Sequence, residues 1–246
     1  SDRPSLDTNS SQITLTTAVG KANYALMSHT LRNRLIMLII QRSGSLKVIG
    51  HICKIVGDAG EEALAASLVQ KWGVNPKRIL GYSDNASAPS RFGLTNKSGH
   101  GLDMLVWVPP PPSLTVRVPT TDTMRHSMDT LNTAPTRTLN FSGDTLLVIE
   151  TKTTLGGTKT PRFNKTQETG ADKMKNLQIK IRSGRGGWNS EKMFEADPNF
   201  SDKLEAIALA RANGQTEYIH AQVFFDSNGN LNNLVNHNRG IQLNTW

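Results

Sequence analysis

Two short apolar runs, Met104-Leu105-Val106-Trp107-Val108 and Leu146-Leu147-Val148-Ile149, each stop abruptly at ionisable side chains: Asp103 precedes the first, and Glu150 and Lys152 follow the second. Runs of this length without polar alternation predict strands buried on both faces, which requires a sheet covered by helices on either side. Side chains alternate along a strand, so Glu150 and Lys152 project from one face while Thr151 points away. A carboxylate and an amine can then meet one substrate.

The flanking segments predict the covering helices. Asp58 with Glu61 three residues later reads as a capping box, and Leu64, Leu68 and Trp72 follow at helical spacing before Gly73. A helix from about Lys165 to Ile181 carries Ala171, Met174, Leu177 and Ile181 on one side, and Gly184 to Gly187 ends it. A further helix around Ser201 to Ala212 stops at Asn213-Gly214. Arg78 to Tyr82 and His220 to Phe225 read as short strands, the latter closed by the Asp226–Gly229 turn. Leu46 to Val56, closed by Gly57, fits either a strand or a buried helix. Pro109 to Gly143 opens with four prolines and reads as an extended loop or irregular arm. The expected class is α/β (α+β), a mixed sheet flanked by helices. Residues 58–246 form its main domain. Residues 1–57 are a mainly helical extension, with a polar arm over 1–15 and Tyr24, Met27, Leu31, Leu35 and Leu38 at helical spacing.

Charge narrows the function. The chain has 28 Lys and Arg against 20 Asp and Glu, a net +8 that favours polyanions or an acidic protein partner. From Lys152 to Arg185 nine basic residues face only Glu168 and Asp172, so nearly all the excess lies just after the Glu150 strand. Lys165, Lys173, Lys175, Lys180, Arg182 and Arg185 are the candidate nucleic-acid contacts. Trp188 is read as the anchor of the following loop. The single cysteine, Cys53, excludes an intramolecular disulfide and a cysteine-based zinc site. No segment reaches the roughly 18 apolar residues of a membrane helix. Ser1 to Gln12 lacks a signal-peptide pattern, and the abrupt start permits a fragment of something longer.

If the strand beginning at Asp103 pairs with the one ending at Glu150, two carboxylates and the Thr151 carbonyl offer oxygen ligands to Mg²⁺ or Mn²⁺. Asp144 shares strand parity with Glu150, but Ser142-Gly143-Asp144 reads better as a turn. His100, between glycines, reads as a loop histidine, and the six histidines show no metal-ligand spacing.

The Asp103, Glu150-Thr151-Lys152 pattern resembles the PD-(D/E)XK, or restriction-endonuclease-like, nuclease superfamily over roughly residues 58–225 as an order of elements. Leu102 stands where the motif's proline would be, and 47 residues separate the two acidic positions, a longer interval than is usual there. The resemblance implies a metal-dependent nuclease in which Asp103, Glu150 and Lys152 are catalytic. It also implies a helix carboxylate, for which Glu62 between Gly60 and Gly73 is the candidate, with first-turn dipole compensation as the alternative. Ser98 to Asp103 and Lys165 to Gly170 are similar to the C-terminal nuclease domains of bacterial polymorphic and contact-dependent toxins. That likeness makes Gln167 an auxiliary site residue, although Asn164 and Gln167 also suit a capping box. It further implies a DNase fragment of a larger secreted toxin, acting in a target bacterium's cytoplasm and neutralised by an acidic immunity protein. A tRNA-cleaving RNase and a non-enzymatic basic binding module are the alternatives.

Overall fold

The computed structural model describes residues 46–82, 92–96, 98–108, 113–129, 133–232 and 240–246. The polar arm and the helical spacing from Tyr24 to Leu38 lie outside the described residues.

Leu46 to Val56 is helical, and Gly57 does not end it: helix α1 runs unbroken over Leu46–Gln70. Asp58 therefore caps nothing. It pairs with Lys54 one turn earlier, at 3.0 Å, and the boundary expected between residues 57 and 58 falls inside this helix. One interior glycine costs roughly 1 kcal/mol relative to alanine, which the buried stripe of Val56, Ala59, Ala63, Leu64 and Leu68 outweighs. Gly60 is required for a different reason. A Cβ there would run into the Thr153 side chain, so only glycine lets α1 lie this close to the sheet.

After a two-residue β1 (Leu94–Thr95) paired with β2 (Gly101–Leu102), the main sheet begins with β3 (Met104–Val108). β4 (Leu114–Arg117), helix α2 (Asp122–His126) and β5 (Thr136–Leu139) follow, then β6 (Thr145–Leu155). The segment expected as an irregular arm thus supplies two strands, with Leu114, Val116 and Leu139 packed into the core. Helices α3 (Gly170–Ser183), α4 (Ser190–Ala196) and α5 (Phe200–Asn213) precede β7 (Thr216–Phe225) and β8 (Ile241–Thr245). Gly184 and Gly214 take left-handed conformations at the ends of α3 and α5, where the sequence places the stops.

The six strands run in the order β3-β6-β7-β8-β4-β5. β6 lies second from one edge: it pairs antiparallel with the edge strand β3 and parallel with β7 over ten registered positions. Odd-numbered Leu147 and Ile149 meet α1, whereas even-numbered Leu146 and Val148 join Leu105, Met174, Leu177 and Ile207 beneath α3 and α5. Trp188 is buried at 3% exposure in this second layer, the anchoring role expected for it. Among the described residues, no helix is long and apolar enough to cross a membrane.

The second face changes character along the strands. Past Val148 and Tyr218 the same rows continue as Glu150, Lys152, His220 and Gln222, and the buried polar groups need partners. Gln222 donates to Thr160 at 2.8 Å and accepts from Asn244 at 3.0 Å, and Arg117 donates to Asn244 at 2.7 Å. The sheet is a closed apolar platform at one end and a hydrogen-bonded polar one at the other. The candidate site lies at the transition.

Candidate active site

Glu150 follows directly on the apolar run of β6 and is only 1% exposed. Three donors meet its carboxylate. Lys152 Nζ reaches Oε1 at 2.8 Å, as the shared strand face requires, and Gln167 Nε2 reaches the same oxygen at 2.6 Å. Lys173 of α3 forms a close ion pair with Oε2. A buried carboxylate is stable only with such compensation.

Asp103 sits in the bend between β2 and β3. Met104 registers with Ile149, so Asp103 lies at the next position, beside Glu150. Its Oδ2 accepts the Thr151 N–H at 2.8 Å. Burial raises the Asp103 pKa to about 7, with the neighbouring Glu150 charge adding to the rise and Lys173, Lys152 and the Thr151 N–H opposing it. Glu61 on α1 is likewise held well above the usual carboxylate range, first by burial and then by the charge of Asp103.

A cavity of about 320 Å³ joins these groups: Glu61, Asp103, Glu150, Thr151, Lys152, Gln167 and Lys173 line it, with His100, Asn164, Asn176 and Lys180 towards its rim. Four of the five expected catalytic residues are therefore brought together. The helix carboxylate in the cavity is Glu61, whereas Glu62 is not part of the lining. Because α1 begins well before Asp58, Glu61 is not the capping partner expected of it, and the helix turns it towards Asp103. Gln167 closes the capping box with Asn164, and its side-chain amide also donates to Glu150 at the cavity.

The basic residues divide. Lys173 is not a surface charge: its side chain is 12% exposed and bound to Glu150 within the cavity. Lys180 shares its helix face and lines the rim, seven residues on. Lys175 is exposed on another face, and Arg182 lines a groove between α3 and α5 away from the carboxylates. Lys165 and Arg185 are exposed in the turns flanking α3. The spacing of Lys173, Asn176 and Lys180 along α3 is the signal that marks this face in the sequence. It places all three on one side of a helix, whereas reading charge alone does not.

All the donors expected for a cation are oxygens, which suits Mg²⁺ or Mn²⁺ chemically. Among the described residues no group of three or more His, Cys, Asp or Glu side chains is disposed to hold a metal ion. Asp103 and Glu150 would thus supply two carboxylates, with the Thr151 carbonyl and water completing the shell, as is usual for Mg²⁺. The Glu150 charge helps to raise the Asp103 pKa, so a cation between the two carboxylates would relieve a repulsion, while Lys152 and Lys173 compete with it for Glu150.

No family model, curated protein or solved structure matches this chain.

Proposed function

We propose that the protein is a metal-dependent endonuclease that hydrolyses phosphodiester bonds, with DNA as the substrate class. The observation that carries this reading is the convergence of Asp103, Glu150 and Lys152 in one cavity, beneath a helix that contributes Lys180 to its rim. A bound divalent cation would lower the pKa of water and polarise the phosphoryl oxygen. Asp103 and Glu150 would hold it. Lys152, held on Glu150 at 2.8 Å, would offer a positive charge to the phosphoryl oxygens as the phosphorus becomes pentacoordinate and they gain negative charge. Gln167 keeps the Glu150 carboxylate from turning by holding Oε1. Lys173 partly neutralises Glu150 from the other side. Lys180 and Lys165 draw in the polyanion from the rim and the neighbouring turn.

The biological setting we propose, a toxin domain acting in the cytoplasm of a competing bacterium and restrained by an acidic immunity protein, rests on the superfamily resemblance and the basic surface. The direct test is cleavage of supercoiled plasmid and of tRNA, in parallel, with Mg²⁺ or Mn²⁺ and with EDTA. EDTA-sensitive nicking of the plasmid supports the reading. Preferential tRNA cleavage moves the substrate to RNA, and binding without cleavage of either leaves a basic nucleic-acid-binding module.

A further inference from the structure

Each of the three residues that donate to Glu150 also contacts one aromatic pair. Phe163, in the connector after β6, and Trp246, following β8, stack with ring centroids 5.9 Å apart and planes 28° apart. Lys152 Nζ lies 5.7 Å from the centroid of Phe163, and Lys173 Nζ lies 5.6 Å from that of Trp246. Both distances are within the roughly 6 Å over which an ammonium is attracted by a ring face. Trp246 Nε1 donates to the carbonyl of Gln167 at 2.9 Å, which fixes the turn presenting the third donor. The stack is itself braced: His220 packs on Phe163 at 4.5 Å, and Tyr218 meets Trp246 edge-on at 6.4 Å.

We propose that Phe163 and Trp246 are positioning residues of the candidate active site, an aromatic platform that sets where the ammonium groups of Lys152 and Lys173 and the amide of Gln167 stand around Glu150. A lysine side chain has many rotamers open to it, and a catalytic charge is most effective when it need not reorganise during the reaction. The platform removes that freedom before substrate arrives. It also brings two lysines of like charge onto one carboxylate by giving each its own ring face. This inference rests on the nuclease reading for its kinetic consequence, while its structural content stands apart from any activity.

The test combines two measurements on the full chain. Side-chain NMR of lysines labelled at the ε-carbon should show the ε-methylene protons of Lys152 and Lys173 displaced upfield by ring currents, relative to exposed Lys175. Trp246→Leu should abolish the Lys173 displacement, Phe163→Leu that of Lys152, and Trp246→Phe should restore most of the former without restoring the donor to Gln167. In plasmid cleavage, Trp246→Leu should lower kcat by roughly 2- to 30-fold, the range set by removing one partly desolvated cation–π interaction, with KM within about twofold. Trp246→Phe should recover part of that loss.

Unchanged lysine resonances in Trp246→Leu and Phe163→Leu would overturn the proposal. So would a raised KM at constant kcat, which marks a substrate contact instead. If the wild type cleaves neither nucleic acid, the nuclease reading fails and the resonances alone decide the platform. If Trp246→Leu does not fold, Phe163→Leu decides the proposal through the Lys152 displacement, and loss of the Lys173 displacement in folded Trp246→Phe would count against it.

Discussion

Asp103 Oδ2 accepts the backbone N–H of Thr151 at 2.8 Å, tying the bend before β3 to the strand residue that follows Glu150. The contact explains how a carboxylate outside the regular ladder is held beside the sheet's buried acid. It also carries an opposition between stability and function. The Asp103 pKa is raised to about 7 in the folded protein, against roughly 3.9 in an unfolded chain. The folded state therefore binds the extra proton between these values, and this group's contribution to stability is lost as pH rises from about 4 to 7, by up to about 1.4 kcal/mol per pH unit.

Asp103→Asn keeps an oxygen for the Thr151 N–H and removes that loss. In metal-free protein, urea midpoints at pH 8 should be higher for Asp103→Asn than for wild type, while Mn²⁺ affinity by calorimetry falls at least tenfold. A variant that is less stable at pH 8 and binds Mn²⁺ normally would remove Asp103 from the site.

Glu150 is a structural residue as well as a candidate ligand. Removing one partner of a buried ion pair costs roughly 3–5 kcal/mol, and the residual exposure of Lys152 and Lys173, at 15% and 12%, argues for the lower end. Glu150→Ala should unfold at a urea concentration clearly below wild type, and Glu150→Gln should lose metal binding with a smaller stability loss. Wild-type stability in Glu150→Ala would mean that the ion-pair cluster is not formed in solution.

The α/β class, the two buried strands, the shared face of Glu150 and Lys152, and the ends of α3 and α5 were all legible, because each depends on short-range rules: alternation, helical spacing and glycine stops. What was not legible depends on contacts between distant segments. Gly57 reads as a stop, and only the packing of α1 along β6 shows why the helix passes through it. That continuity turns Glu61 rather than Glu62 towards Asp103. β4 and β5 hide behind four prolines and a Thr-rich composition, and become strands by pairing with each other and with β8. Lys173 reads as a surface charge, since nothing local says that Glu150 lies beneath it.

His220 supplies an opposite pH limb. It is fully buried, both ring nitrogens are without hydrogen-bond partners among the described residues, and burial holds its pKa well below the ordinary 6.5. The unfolded chain binds the proton more readily, so the stability from burying neutral imidazole is present above about pH 6.5 and is lost as pH falls towards the folded value. Unfolding free energies from denaturant curves between pH 7 and pH 5 should fall less steeply for His220→Leu than for wild type, by up to about 1.4 kcal/mol per pH unit. Parallel pH dependences would show that His220 is not buried as a neutral ring.

Lys165 and Lys180 are both exposed. Replacing both by alanine should weaken DNA binding uniformly across sequences and lower the slope of log K against log salt by roughly 0.9 for each phosphate no longer neutralised. Arg182→Ala, on the far groove, should leave that slope unchanged. A slope altered only by Arg182→Ala would relocate the nucleic acid to the α3–α5 groove.

In the proposed reaction Lys152 is catalytic and not merely Glu150's counter-ion. Lys173 and Gln167 remain on Glu150 when Lys152 is truncated, so folding and metal binding should persist. The deciding measurement is therefore plasmid nicking by Lys152→Ala in Mg²⁺ and in Mn²⁺, with circular dichroism and metal titration on the same preparation. The predicted result is a folded, metal-binding protein whose nicking rate has fallen by at least a hundredfold, on the order expected when one preorganised electrostatic interaction with a transition state is removed. A folded Lys152→Ala protein that nicks plasmid at the wild-type rate would mean that Lys152 is only the counter-ion of Glu150.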